Sequence, residues 1–260
     1  MGLLEGKRAL VFGLANDHSI AWGIAKAFRR EGADVGFSSV EMLIDKRVRP
    51  LADELGSTFV EPCDVQSDAD IERVVARWRE TYGPLDILVH AVAFANKDEL
   101  SGEFIRTSRE GFRLAHDVSA YSLVALAREA RPLMSDGGSI LTLTYYGAEK
   151  AVANYNVMGV AKASLEACVR YLAVDLGKEG IRVNAISAGP VRTLAASGVS
   201  GFKKMYRLFN EITPLRRPLS IDDLGNAAVY LCSDMSRGTT GEIHYVDGGY
   251  NVIGVPEVVD

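Results

Sequence analysis

A tyrosine and a lysine stand seven residues apart near the middle of the chain, at Tyr155 and Lys162. Each residue of an α-helix turns the chain by about 100°, so an offset of seven returns to nearly the same face about 10 Å further along. A phenol and an ammonium on one face could serve one site. They could equally be amphipathic residues with packed stems and solvated tips. The pair alone leaves both interpretations open.

Size and composition narrow the class of protein that must position this pair. The chain has 260 residues, 48% of them hydrophobic and 24% charged, which is typical of a globular protein with ample material for a core. The net charge of −5 argues against a nucleic-acid-binding surface over the whole protein. Three distant cysteines, Cys63, Cys168 and Cys232, form no CxxC pair. We therefore predict no metal site and no disulfide, but reduced thiols in a cytoplasmic protein.

Targeting and membrane signals are not expected from the sequence. The N-terminal run MGLLEGKRALVFG has too short an apolar stretch and no small-residue cleavage site for a signal peptide. No apolar run approaches the roughly 20 residues that span a bilayer. We predict a cytoplasmic protein without membrane insertion.

Short β-rich runs alternate with helical segments along the chain. We predict strands over 8–15, 33–39, 57–65, 85–94, 137–146, 181–187 and 242–249. We predict helices over 19–31, 45–55, 68–82, 110–131, the segment that Tyr155 opens, and 222–233. This alternation predicts an α/β fold, one domain over 1–260 with a doubly wound parallel sheet of about seven strands and helices on both faces. The run 193–217 interrupts the pattern, and we expect a lid there, with its substrate-binding part near 193–210.

The first βα turn, FGLANDHSIAWG (12–23), carries a partial nucleotide signal. It lacks GxGxxG, but Gly13 ends the strand and Ser19 is a suitable N-cap residue. The amides near Ser19 and Ile20 could then face a pyrophosphate at the positive end of the helix. A capped turn of this kind also occurs in proteins that bind no ligand.

Two later strand ends add to that signal. Asp64 ends the third predicted strand and could contact the edge of an adenine ring. HAVAFA (90–95) ends the fourth with small residues that would let a cofactor lie close to the backbone. In a doubly wound sheet, ligands bind beyond the carboxyl ends of the strands. Three such ends on one edge favour a dinucleotide site over strand ends trimmed only for packing.

Seven segments carry a resemblance to a known family. They are GLANDHSIAWGIA (13–25), CDV (63–65), VHAVAFA (89–95), REGFRLAHDVSAYS (109–122), LTLTYYGAEKAVANYNVMGVAKASLEA (141–167), RVNAISAGPVRTLAASG (182–198) and TGEIHYVDGGY (240–250). The chain resembles the short-chain dehydrogenase/reductase superfamily and, more closely, the bacterial enoyl-[acyl-carrier-protein] reductases of the NADH type. The resemblance spans nearly the full length and implies a Rossmann-like domain. Ordinary members of the superfamily place the catalytic tyrosine four residues before the lysine, whereas the enoyl reductases use seven and a second tyrosine.

This resemblance implies a reaction and its catalytic residues. The family reduces the carbon–carbon double bond of enoyl thioesters on acyl carrier protein, the last step of the type II fatty-acid elongation cycle, with hydride from NADH. Tyr155 and Lys162 resemble its catalytic pair, and Tyr145 its second tyrosine. The Tyr155 hydroxyl would stabilise the enolate that develops on the thioester oxygen. Lys162 would bind the nicotinamide ribose, and the chemical role of Tyr145 stays open.

The same resemblance implies the lining of a cofactor and substrate site. The implied cofactor-binding residues are Gly13, Ala15, Ser19, Ile20, Val40, Asp64, Val65, Val92, Ala93, Lys162, Val191, Thr193, Leu194 and Ala195. The implied substrate-binding residues are Ala95, Tyr145, Tyr155, Met158, Ala196 and Phe202. From the residues alone, Met158 and Phe202 would instead be ordinary core. The family also implies a homotetramer.

The segment FKKMYRLF (202–209) pairs a basic face with an apolar one. Lys203, Lys204 and Arg207 form the basic face, which would suit an acidic carrier protein that delivers an apolar chain. A solvated amphipathic helix that binds nothing would show the same pattern.

One departure from the family pattern concerns the cofactor. Many members carry a glutamine at the position of Val40, and valine cannot hydrogen-bond a ribose hydroxyl. Glu41 would repel a 2′-phosphate and favours NADH, whereas Ser38, Ser39 or Arg47 could bind that phosphate. NADPH is therefore not excluded.

Two other functions compete with enoyl reduction. A short-chain carbonyl or alcohol oxidoreductase would need a tyrosine four residues before Lys162, where Met158 stands. A non-catalytic dinucleotide sensor would not need Tyr145, Tyr155 and Lys162 together.

Overall fold

A computed structural model describes residues 2–193 and 202–255 of the chain, with side chains from residue 204 onward in the second range. Within these residues one parallel sheet contains β1 (Arg8–Phe12), β2 (Asp34–Ser39), β3 (Val60–Pro62), β4 (Ile87–His90), β5 (Gly138–Thr144), β6 (Ile181–Ala188) and β7 (Ile243–Val246). Their order across the sheet is β3-β2-β1-β4-β5-β6-β7. This order is doubly wound about β1, so the predicted fold class is confirmed.

Helices fill the connections between these strands. Among the described residues, the α-helices are α1 (Ile20–Arg30), α2 (Glu41–Leu43), α3 (Arg49–Glu54), α4 (Asp68–Tyr82), α5 (Arg109–His116), α6 (Ser122–Ala130), α7 (Asn156–Leu176), α8 (Phe202–Ile212) and α9 (Ile221–Cys232), with π-helical turns at Ile44–Val48 and Asp117–Tyr121. The helix predicted over 110–131 is thus interrupted by the second π turn. The helical segment predicted over 45–55 begins earlier, at Glu41, and the first π turn interrupts it before α3. Pro50 explains the first interruption, because proline cannot donate to the preceding turn and a wider turn relieves the clash of its ring. Nothing in the structure explains the second.

The core lies on both faces of the sheet. Successive residues of a strand point to opposite faces, so β1 contributes Ala9 and Val11 to one apolar cluster and Leu10 and Phe12 to the other. The second cluster includes the fully buried Trp78 of α4. Apolar residues on both faces are the reason why the central strands have no polar alternation.

The central strands β1 and β4 end level with each other, and β5 continues two residues beyond them. Phe12 of β1 pairs with His90 of β4, and His90 pairs with Thr142 of β5. The predicted strands over 8–15 and 85–94 are therefore too long, because the chain leaves the sheet directly after Phe12 and His90. The point between β1 and β4 is where the winding of the sheet reverses, which is where open α/β sheets bind ligands.

Candidate active site

A cavity of about 530 Å³ opens beyond the carboxyl ends of β1, β4, β5 and β6. It brings together most of the residues that the sequence predicted for a site: Gly13, Ala15, Ser19, Ile20, Val92, Ala93, Ala95, Tyr145, Tyr155, Met158, Lys162, Val191 and Thr193. Met158 also packs on Val157 and Ala161 in a small buried cluster, so it is both core and cavity wall.

Other predicted residues lie outside the lining of this cavity or outside the described residues. Val40, Asp64 and Val65 stand after β2 and β3, on the same edge of the sheet but outside the described lining of the cavity. Leu194, Ala195 and Ala196 lie outside the described residues. Phe202 is the first residue of α8, and its side chain is likewise outside them.

The first βα turn passes very close to the end of β4. Gly13 has φ +93°, and a Cβ atom there would lie 2.3 Å from the carbonyl oxygen of Ala91. Only glycine fits both conditions, so its position is set by the close approach of the two strand ends. Gly13 and Ala91 both line the cavity.

Ser19 stands at the N-cap position of α1, as predicted, but its hydroxyl does not cap the helix within the described structure. It donates instead to the carbonyl oxygen of Asn16 at 2.5 Å, which closes the turn before the helix. The open N-terminus of α1 therefore borders the cavity, and its amides carry the partial positive charge that favours an anion.

Tyr155 occupies the N-cap position of α7 at the wall of the cavity. Its ring meets that of Tyr145 edge to face, with centroids 5.0 Å apart. Gly147 allows this packing, because a Cβ atom there would lie 2.5 Å from Cδ1 of Tyr155. Burial raises the pKa of Tyr155, and Tyr145 adds to the effect. The phenol is thus a neutral hydrogen-bond donor at physiological pH.

Tyr145 differs from Tyr155 in its contact. Its hydroxyl lies 3.8 Å from Sδ of Met205 on α8, and burial raises its pKa to about 12. Among the described residues, the Tyr155 hydroxyl has no such partner, so it can donate into the cavity.

Lys162 lies two turns into α7 and is only 6% exposed. Its ammonium donates to the carbonyl oxygen of Leu143 in β5 at 2.7 Å. Burial lowers the pKa of Lys162 to about 8, while the charge of Glu166 acts in the opposite direction. The helix face predicted from the spacing therefore does place Tyr155 and Lys162 on one cavity.

Sequence reasoning missed two polar groups next to this lysine. His90 is fully buried at the end of β4, where its Nδ1 bonds Thr142 and its Nε2 bonds Ser122, both at 2.8 Å. Burial lowers its pKa to about 3, and the charge of Lys162 adds to this, so His90 is neutral. The other group is Glu166, which is 7% exposed. Its offset of four residues from Lys162 was the available signal, because residues four apart share a helix face.

The arrangement suits a dinucleotide more than a metal ion. Small residues after β1 and β4 leave room for a flat ring, the N-terminus of α1 suits a phosphate, and Lys162 offers a charged donor. Among the described residues, no group of three or more His, Cys, Asp or Glu side chains could hold a metal ion. Nor does any helix in the described part of the chain have the length and apolarity to cross a membrane.

Helix α8 covers one side of the cavity. Met205 lines it, and Phe209 packs against Tyr250 with ring centroids 4.9 Å apart. Arg192 stacks over the ring of Tyr206 at 4.7 Å, which ties α8 to the chain after β6. Lys204 and Arg207 are exposed on the other side of the helix.

Comparison with known proteins agrees with this geometry. The profile of the family described as "Enoyl-(Acyl carrier protein) reductase" matches residues 13–251. The chain is 53% identical over 257 residues to enoyl-[acyl-carrier-protein] reductase [NADH] 1 of Rhizobium meliloti, covering 99% of this chain and 94% of that protein. It is 54% identical to the corresponding NADH enzyme of Aquifex aeolicus, covering 98% and 95%.

Solved structures give the same result. The Anaplasma phagocytophilum enoyl-(acyl-carrier-protein) reductase in complex with NAD superposes with a TM-score of 0.95 at 53% identity, over 99% of this chain and 98% of the other. The Bacillus cereus enoyl-acyl carrier protein reductase, solved with NADP+ and indole naphthyridinone, gives a TM-score of 0.96 at 51% identity, over 98% and 100%.

Proposed function

The chain belongs to the enoyl-[acyl-carrier-protein] reductase family, and we propose that the cavity between Gly13 and Lys162 is where the family's reaction takes place. As a member of that family it is an oxidoreductase. It reduces the carbon–carbon double bond of enoyl thioesters with hydride from NADH, the final step of type II fatty-acid elongation. We also treat residues 1–260 as one reductase domain, which the single sheet from β1 to β7 supports.

The observation that carries the proposal is that a neutral phenol and a buried ammonium line one cavity at the switch point of the sheet. NADH, when bound, supplies the hydride that adds to the β-carbon of the enoyl thioester. Negative charge then develops on the thioester oxygen. The carbon that accepts the hydride lies two bonds further from this oxygen than it does in the reduction of a simple carbonyl. The Tyr155 hydroxyl at the start of α7 donates a hydrogen bond to that oxygen. A hydrogen bond of this kind lowers the barrier by a few kcal/mol in typical oxyanion sites.

Lys162 binds rather than reacts. Its ammonium holds a fixed place through the Leu143 carbonyl and keeps further donor protons for the ribose hydroxyls of the cofactor. Its positive charge also favours the developing enolate. The neutral Tyr155 and the charged Lys162 therefore have separate tasks, and neither needs to deprotonate the other.

A direct assay tests this function. We expect the absorbance of NADH to fall when the protein is mixed with a crotonyl or longer enoyl thioester. A ketone substrate of similar length serves as the control and should give no reaction. Oxidation of NADH by the ketone alone would mean a carbonyl reductase, and tight NADH binding without turnover of either substrate would mean a sensor.

We propose that the exposed face of α8 receives the acyl carrier protein. Lys204 and Arg207 lie exposed there, while Met205 of the same helix lines the cavity, so a carrier docked on the basic face would place its acyl chain near the site. Replacing Lys204 and Arg207 by Glu should raise KM for the carrier-linked substrate and leave KM for the coenzyme A thioester nearly unchanged. The effect should shrink with added salt, since exposed charges are screened within about 10 Å at 0.1 M. Equal losses on both substrates would contradict carrier docking.

We further propose a cytoplasmic homotetramer. A groove of about 740 Å³ runs along α5, α6 and α7, and its lining includes Phe112, Tyr121 and Val124. On α7 the side chains of Tyr171 and Val174 are 78% and 79% exposed. Exposed apolar side chains on these neighbouring helices support association of copies. Light scattering should give the mass of four chains, and a monomer at micromolar concentration would contradict the proposal.

A further inference from the structure

Two consecutive residues of β5 hold two residues of α7 that lie one helical turn apart. The carbonyl oxygen of Leu143 accepts from the Lys162 ammonium, and the hydroxyl of Thr144 donates to Oε1 of Glu166, both at 2.7 Å. Thr144, Lys162 and Glu166 are all at least nine-tenths buried. The end of β5 thus fixes an opposite pair of charges, of which Lys162 lines the cavity.

The two charges do not touch. Within the described residues neither Lys162 nor Glu166 forms an ion pair, and each is bonded instead to a neutral group of β5. A buried carboxylate is costly unless something compensates it, and one hydrogen bond from Thr144 is modest compensation. Electrostatic interaction between separated charges is stronger in a protein interior than in water, so the pair can act at a distance.

The other groups around the pair are neutral or lie further from the lysine along the chain, so Glu166 is the negative charge that acts on Lys162. Burial keeps His90 of β4 neutral, and Tyr145 and Tyr155 are neutral phenols. Burial raises the pKa of Glu166, as does Glu149 from the turn after β5, whereas Thr144, Arg170 and Lys162 lower it. Among these groups, only Glu166 opposes the loss of a proton from Lys162.

We propose that Glu166 is a positioning residue for Lys162: one helical turn away on α7 and anchored to β5 by Thr144, its carboxylate keeps the Lys162 ammonium protonated where the Leu143 carbonyl holds it. The inference rests on the proposed function, because the charge of Lys162 matters for turnover only if a cofactor ribose and an enolate lie beside it. Glu166 itself touches neither, and it acts through Lys162.

The test is the titration of the Lys162 amine in the ligand-free, full-length protein, followed by ¹⁵N NMR of labelled lysines. In Glu166→Gln the side chain still accepts from Thr144 but has no charge, and we expect the midpoint to fall by roughly half a pH unit or more. Glu166→Asp keeps the charge and should keep the midpoint near that of the unmodified protein. Asp175→Asn removes an exposed carboxylate from the same helix and is the matched control, with no expected shift.

A midpoint in Glu166→Gln equal to that of the unmodified protein would overturn the proposal, and so would an equal shift in Asp175→Asn. A second measurement needs no variant. In the unmodified protein, the carboxyl ¹³C signal of Glu166 should show an inflection at the pH where Lys162 titrates, and a flat signal there would also overturn the proposal. Failure of the enoyl thioester assay would count against the proposed function and would leave these titrations interpretable.

Discussion

The cavity edge of the sheet has two parts that differ in burial. The α7 side comprises His90, Lys162 and Glu166, and the β2–β3 side comprises the residues that follow β2 and β3, among them Val40 and Asp64. On the α7 side, His90, Lys162 and Glu166 are buried, and each has a hydrogen-bond partner at 2.7 or 2.8 Å. On the β2–β3 side, Val40 is 44% exposed and Asp64 is exposed, with its carboxylate used in a local turn to the amide of Gln66. Loss of a partner costs a buried polar group much free energy, because water cannot replace the lost hydrogen bond. An exposed polar group is solvated, so its replacement costs little.

This difference predicts where the protein tolerates change. Replacement of one polar group on the α7 side leaves its partner buried and unsatisfied, which is expensive. Replacement on the β2–β3 side exchanges one solvated group for another. The chemistry should therefore depend on the α7 side, and only the preference between similar cofactors should depend on the β2–β3 side.

The largest expected contrast is between Lys162→Ala and Asp64→Ala. Lys162→Ala removes the charged donor proposed for the ribose, and we expect Kd for NADH to rise by on the order of 100-fold. Asp64→Ala removes an exposed group and should change Kd by less than about threefold. Fluorescence titration with NADH measures both. A larger effect at Asp64 would reverse the comparison.

On the α7 side, Tyr155→Phe should separate the effect on cofactor binding from the effect on turnover. It removes only the hydroxyl, so Kd for NADH should stay within about twofold. Turnover should fall by about tenfold, which corresponds to a loss of about 1.4 kcal/mol of transition-state stabilisation. Single-turnover kinetics with saturating NADH measure this loss. If Tyr155→Phe abolishes NADH binding while Lys162→Ala leaves it intact, the assigned roles are wrong.

His90, on the α7 side, should make the free energy of unfolding depend on pH in the acid range. Its pKa falls from 6.5 to about 3 on folding, so between these values the unfolded chain binds one proton more than the native protein. The stabilising contribution is complete above pH 6.5 and is lost as the pH falls toward 3, by at most about 1.4 kcal/mol per pH unit. Urea unfolding at several pH values gives the free energy of unfolding as a function of pH. Between pH 3 and 6.5 this free energy should depend less steeply on pH in His90→Gln, which cannot titrate, and the difference should correspond to one proton. Parallel slopes would contradict this assignment.

The sequence predicted the α7 side better than the β2–β3 side for a physical reason. Helical periodicity is local, so the offset between Tyr155 and Lys162 was enough to place them on one face. The contacts of His90 and Glu166 to β5 and α6 depend on which strands are neighbours, and no local pattern contains that information. Nor could the sequence tell that the Ser19 hydroxyl closes a turn rather than capping α1. The place of Val40 depends on how α2 begins directly after β2.

The β2–β3 side also holds the groups that would choose between NADH and NADPH. Ser38 and Ser39 are buried, which removes them from a phosphate at the surface. Arg47 is exposed, and its charge helps to lower the pKa of Asp17, although the hydrogen bond from His18 is the larger cause. Arg47 and Glu41 are thus exposed groups of opposite charge in the segment that follows β2.

The smallest expected effect follows from this balance, and we expect NADH to be preferred. Glu41 stands exposed directly after Val40, where its carboxylate would repel a 2′-phosphate. Glu41→Gln should raise kcat/KM for NADPH by about threefold, because an exposed charge interaction of this kind amounts to roughly 1 kcal/mol or less, and should leave kcat/KM for NADH unchanged. Glu54→Gln removes an exposed carboxylate of α3 and is the matched control. The gain should fade with added salt, since the interaction is screened. A clear preference of the unmodified protein for NADPH, abolished by Arg47→Ala, would mean that Arg47 outweighs Glu41 and binds the phosphate.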